Sequence, residues 1–238
     1  MNNQQPDIQP DIQPEHPRLF VSSPPEHVAT LHRGVVVVLT TVILALLMGF
    51  AFGFIGGFRA VNGGTVSTEF QLVGASIGIV LSLATVYGWW LLTTLEASGV
   101  AITRTEKWGD IVRVLVTISV VFAVVGMASA ISAHTSSPQS TGATVSWLDV
   151  ANTIGNLVFG IIVWIAQMLF IRDFALRLPN EQIFRRAKLL AWLGPVLNTF
   201  GLLLLGLGPL IALVMYWNML DKVRKDLKAI RAEQAMMG

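Results

Sequence analysis

Residues 34–57 read GVVVVLTTVILALLMGFAFGFIGG, without one charged side chain. A hydrocarbon layer of about 30 Å is crossed by about 20 helical residues rising 1.5 Å each, so this run is long enough to span a bilayer. Three further runs match it on the C-terminal side. Residues 72–94 carry no charge, 111–133 carry only Arg113 near their start, and 151–171 are interrupted by Asn152, Asn156 and Gln167 but by no ion. The whole chain follows suit, with 53% hydrophobic and only 13% charged residues, against about 25% charged in an average soluble domain. Its main solvent is lipid.

The last apolar stretch, 189–220, is ambiguous. As one helix it would extend about 48 Å, longer than the hydrocarbon is thick. Gly206-Leu207-Gly208-Pro209 interrupts it, and glycine closing one helix with proline opening the next is a favoured punctuation. The sequence therefore predicts two spans, 189–205 and 209–220, joined as a tight hairpin. Charge placement supports that count, because cytoplasmic flanks of membrane helices are enriched in Lys and Arg. Six spans with both termini cytoplasmic put every one of the sixteen basic residues inside except Arg59. Five spans, the alternative, would strand the basic C-terminus outside. The expected fold is thus an all-α, polytopic transmembrane helix bundle of six spans, in the cell inner (plasma) membrane.

Residues 1–33 hold six of the ten prolines and a duplicated Pro-Asp-Ile-Gln, at 6–9 and 10–13. They are expected to form a disordered cytoplasmic tail, too polar to offset the entropy of ordering. The loop 134–150 is small and polar and reads as a flexible connection. Between 172 and 188, Leu178-Pro179-Asn180-Glu181 predicts a helix stop and restart with Asn180 as N-cap. Residues 221–238 read as a basic amphipathic cytoplasmic helix. Leu220, Val223, Leu227 and Ile230 fall on one face, and Lys222, Arg224, Lys225, Lys228 and Arg231 occupy the rest. With five cations from 172–188 they make a positive patch of ten side chains, which suits anionic lipid or an acidic partner. The chain's cations serve lipid in this reading, and no nucleic acid partner is expected.

Two groups of residues stand out within the spans. Gly49, Gly53 and Gly57 recur every four residues, and Gly74 and Gly78 repeat the device in the next span. Such stripes let helices approach closely, either within the chain or between copies in a homo-oligomer. Asn152, Asn156, Gln167 and Asn198 are in-span amides that either line a polar path or tie helices together, at about 0.6–2 kcal/mol per hydrogen bond. Trp164 sits mid-span and is expected to pack on a neighbouring helix.

Several functions are disfavoured. Cysteine is absent, which removes disulfides, thiolate catalysis and thiolate-bound metals. No acidic residue or histidine lies within a span, where ion-coupled carriers and haem proteins usually keep one. No Walker loop, dinucleotide fingerprint or nucleophile elbow occurs. The expectation is a protein without a catalytic site, cofactor or metal, acting as an accessory or structural subunit by helix–helix packing. The alternative is a facilitator or channel for a small neutral or weakly polar solute.

Overall fold

A computed structural model describes residues 20, 23–63, 67–94, 103–135, 147–178, 180–200 and 207–237, and they form six α-helices. These are α1 (Pro25–Val61), α2 (Thr68–Leu92), α3 (Thr103–Thr135), α4 (Trp147–Ala175), α5 (Glu181–Phe200) and α6 (Leu207–Met237). Among the described residues there is no strand. The first four helices are long and apolar enough to cross a membrane. In α5 and α6 the apolar portions are shorter, because Arg185, Arg186 and Lys188 occupy the start of one and Asp221 to Lys225 the middle of the other. The expected turn at Gly206 and most of the loop 134–150 lie outside the described residues, as do residues 1–19.

Each helix packs on its neighbours in the chain, and α6 closes back on α1 to complete a ring. Neighbours run antiparallel. Gly34 of α1 meets Leu92 and Gly88 of α2, Thr85 Oγ1 lies 3.2 Å from Thr41 Oγ1, and farther along the Phe52 ring packs at a tilt on Phe70. At the α1–α2 crossing backbone meets backbone. A Cβ on Gly34 would stand 2.8 Å from the Leu92 nitrogen and 2.9 Å from the Gly88 oxygen. One on Gly88 would stand 2.8 Å from Val38 Cγ2. Only glycine admits this contact.

Among the described residues of α1–α4 the buried core sits at one end of the ring. It takes Val28 to Leu39 from α1, Trp89 and Leu92 from α2, Val112 and Val116 from α3, and Ala166 to Ala175 from α4. From α5 come Ile183, Ala187 and Leu190, and from α6 Met219, Leu220, Val223, Leu227 and Ile230. The other halves of α1–α4 keep large apolar side chains exposed, as with Phe50 at 75% and Val61 at 86%. We call these the packed end and the open end.

The structure departs from the sequence reading at the expected N-terminal tail. Helix α1 starts at Pro25 rather than at residue 34, and Phe20, Ser23, Val28 and Leu31 are buried. Proline at the first helical position is pre-organised for helix, and Val28, Leu31 and Val35 continue the apolar face outward at helical spacing. Gln234 of α6 fastens this segment, its Nε2 donating to the Phe20 and Ser23 carbonyls at 3.2 and 2.8 Å. Between α4 and α5 the expected stop and restart is present, with Asn180 Oδ1 accepting from the Gln182 amide at 3.1 Å. Helix α6 runs unbroken from its apolar part into the basic segment.

Replacing Gly34 by Ala forces backbone apart from backbone and is expected to lower stability by about 1–3 kcal/mol. Gly53→Ala meets open space and should be neutral or mildly stabilising. Thermal unfolding in mild detergent, followed by tryptophan fluorescence, separates the two. Equal midpoints would mean that the α1–α2 crossing does not hold the fold.

Candidate functional site

One cavity is lined mainly by residues of the open end and reaches the packed end at Val116. Helix α1 supplies Ala45, Met48, Gly49, Phe52 and Gly56, while α2 supplies Phe70, Gln71, Gly74, Gly78, Ser82 and Thr85 among others. Helices α3 and α4 close it with Val116, Ser119, Val163 and Gln167. The volume is about 670 Å³. Phe70 and Val86, at its two extremes on α2, are separated by about 24 Å of helix rise. A second groove of about 540 Å³, between α3 and α4, shares Ser119, Val163 and Gln167 with the first and reaches Phe122, Asn156 and Phe159.

Glycine shapes the wall. Gly49, Gly56 and Gly78 face open space, with nothing within 4 Å of where a Cβ would stand, and Gly74 lies under the Phe52 ring at 3.1 Å. The lining carries no charged side chain. Its hydroxyls spend their protons inside the protein. Ser82 Oγ donates to the Gly78 carbonyl at 2.9 Å, Thr85 Oγ1 to Leu81 at 2.8 Å and Ser119 Oγ to Val116 at 2.6 Å. What they offer inward is acceptor lone pairs. Gln167 makes no hydrogen bond among the described residues, so its amide keeps both donor and acceptor capacity for a visitor. An uncharged molecule with a small polar group suits such a lining, and an ion does not.

The four in-span amides therefore divide. Asn156 and Gln167 share one groove. The side chains of Asn152 and Asn198 lie outside the described residues. The glycines divide as well. Among the described residues Gly49, Gly53, Gly57 and Gly78 are not helix contacts, and Gly74 packs on a phenylalanine ring rather than on a helix backbone. The close contacts fall at Gly34, Gly88 and Gly194, none of which belongs to a repeated motif. At Gly194 any side chain would fall on the Trp164 indole, whose Nε1 donates to the Leu190 carbonyl at 2.9 Å. Trp164 thus packs against a neighbouring helix as expected, and on its other flank it meets the Tyr216 ring at 5.3 Å.

The ten-cation patch also changes. Arg177 is buried, with its guanidinium over the Phe20 ring at 5.9 Å, and so is withdrawn from the surface. Arg172 binds Asp173 at 2.7 Å. Arg185 pairs with Glu181 at 2.9 Å, and Asp221 holds Arg224 at 2.6 Å and Lys225 at 2.8 Å. Elsewhere Arg113 closes the end of α2, donating from Nε to Thr93 Oγ1 at 2.8 Å and from Nη2 to the Thr93 carbonyl, with Trp90 beneath its guanidinium. A cation at a helix C-terminus is favourably placed to satisfy the last carbonyls. Sequence reasoning registered Arg113 only as a tolerated charge on the cytoplasmic side and did not see that it closes the end of α2.

Comparison of the chain with protein-family models, with curated proteins and with solved structures finds no match.

Proposed function

We propose that this chain is a multi-pass protein of the cell inner (plasma) membrane that acts without catalysis, as an accessory or structural subunit. It packs the small-residue face of α1 on another helix, either of a second copy or of a membrane partner. One observation carries this reading: Gly49, Gly53 and Gly57 lie in register on α1, and among the described residues nothing stands within 4 Å of where their Cβ atoms would be. Such glycines leave a smooth strip where a second helix backbone can approach. The exposed Phe50, Phe54 and Phe58 beside that strip supply bulky flanks for packing.

The orientation we propose has both termini cytoplasmic and six spans, α5 and α6 together forming the last hairpin. What supports it is the distribution of cations, with only Arg59 on the opposite side. Because the chain lacks cysteine, Leu207→Cys should react with an impermeant maleimide from outside and Ala235→Cys only after permeabilisation. Labelling of both from the same side would reject the hairpin.

Gly53→Leu and Gly57→Leu test the association. Each is expected to leave the thermal midpoint unchanged and to abolish cross-linked dimers, or a co-purifying partner, in extracts made with mild detergent. A wild-type protein that runs as a lone monomer would end this reading.

A second reading has its own support: Asn156 and Gln167 line one groove that merges with the uncharged cavity. In it the protein is a facilitator for a small neutral or weakly polar solute. Asn156→Leu combined with Gln167→Leu should then cut solute flux into liposomes at least tenfold while the fold is retained. Undiminished flux in the folded double variant would dispose of it.

A further inference from the structure

The cavity between α1, α2, α3 and α4 is graded along its length. Its last lining residues toward the packed end are Ala45 on α1, Val86 on α2, Val116 on α3 and Gln167 on α4. Just beyond them the helices are buried, at Thr41, Trp89, Val112 and Met168. There the rings of Trp89 and Phe170 meet edge to face, with centroids 6.1 Å apart. Among the described residues the cavity therefore has a floor at the packed end. Its polar side chains gather beside that floor, as Ser82 and Thr85 of α2, Ser119 of α3 and Gln167 of α4. Toward the open end the wall is Phe52, Gly56, Phe70 and Gly74, and Gln71 stands exposed at the mouth.

The floor sets what the head of a guest must carry. The three hydroxyls give their protons to carbonyls of their own helices and present acceptor lone pairs. Gln167 presents the complementary set, two N–H donors and a carbonyl. A hydroxyl head donates to the first and accepts from the second. A ketone or an ester only accepts, so it leaves the three hydroxyls unused. A carboxylate, phosphate or ammonium would lose its water without gaining a counter-ion, because no lining side chain is charged. The bore sets the rest. An extended hydrocarbon gains about 1.3 Å per carbon, so about 16 to 18 carbons fill the length from Val86 to Phe70. Gly56 and Gly78 keep that bore clear, with nothing within 4 Å of where a Cβ would stand.

We propose that this cavity binds a single long-chain alcohol head-first. Its hydroxyl lies among Ser82, Thr85, Ser119 and Gln167, and its chain runs along α1 and α2 toward the open end. The proposal rests on the uncharged guest of the second reading, but it requires binding rather than passage, since the floor closes the packed end. Head-first entry follows from the grading of the wall. A phospholipid chain entering tail-first would set a methyl group against the amide of Gln167 and leave it without a partner, whereas the alcohol satisfies it. The specificity lies in the head, because a site built to pair with a hydroxyl rejects an analogue that lacks one.

The test adds two photoreactive hexadecanols to the full chain in phosphatidylcholine nanodiscs. One carries its diazirine beside the hydroxyl and the other at the methyl end, and mass spectrometry locates the cross-linked residues. Label from the first is expected around Ser119 and Gln167, and label from the second around Phe52 and Phe70. Unlabelled hexadecanol should compete both away, whereas hexadecylphosphocholine, the same chain on a charged head, should not. Gln167→Leu, which removes the donor, and Gly78→Phe, which blocks the bore, should each cut labelling near the floor by about fivefold or more with the thermal midpoint retained. Label in the reverse order, equal competition by the charged amphiphile, or undiminished labelling in either folded variant would overturn the proposal. Solute flux into liposomes separates it from the facilitator reading. Flux without ordered labelling ends the proposal alone, and ordered labelling without flux ends that reading alone.

Discussion

Apolar side chains gain free energy by leaving water but almost none by leaving lipid, and the position of the core follows from that difference. Val28, Leu31, Ile183, Val223, Leu227 and Ile230 sit among charged residues, where an uncovered apolar group would face water. They are buried. Phe50, Phe54, Val80, Val121 and Ile154 sit in charge-free runs, and they stay exposed. The ring of six helices is therefore fastened where its segments are amphipathic and is open where they are uniformly apolar. Cavity and core are two consequences of one constraint: within hydrocarbon, helices meet only where shape or a hydrogen bond makes contact worthwhile.

Such contacts are few and local. Gly34 with Gly88 brings two backbones together, Thr85 and Thr41 meet hydroxyl to hydroxyl, and Trp164 donates to the Leu190 carbonyl across to α5. Arg113 does similar service at the end of α2, where the last carbonyls have no partner within their own helix. Each lies at or near the packed end. Beyond Thr41 and Thr85 the α1–α2 pair relies on Phe52, which fills the space over Gly74 and packs at a tilt against Phe70.

The helical class and the number of helices were legible because hydropathy integrates over about 20 residues and tolerates local error. The restart at Asn180 was legible because capping chemistry is local. The start of α1 was not. Prolines at 24 and 25 read as the end of a tail, yet Pro25 is the first residue of the helix, and Phe20 is buried against Phe174 of α4 with its carbonyl held by Gln234 of α6. Sequence carries no direct sign of a contact between residues 20 and 234. The glycines mislead for a related reason. Repetition at every fourth residue shows that a face lacks side chains, whereas it says nothing of what occupies the space. At Gly34, Gly88 and Gly194 a single missing Cβ decides the packing, and a single glycine is invisible to a motif search.

Counting charge by segment likewise overlooks what each cation is already engaged in. Arg177 is spent on an aromatic face inside the core, Arg113 on a helix end, Arg172 on its neighbouring aspartate. Removing such partners from the tally shrinks the basic patch. What remains attracts any anionic surface in proportion to its charge and is screened within about 10 Å of solution at ordinary salt.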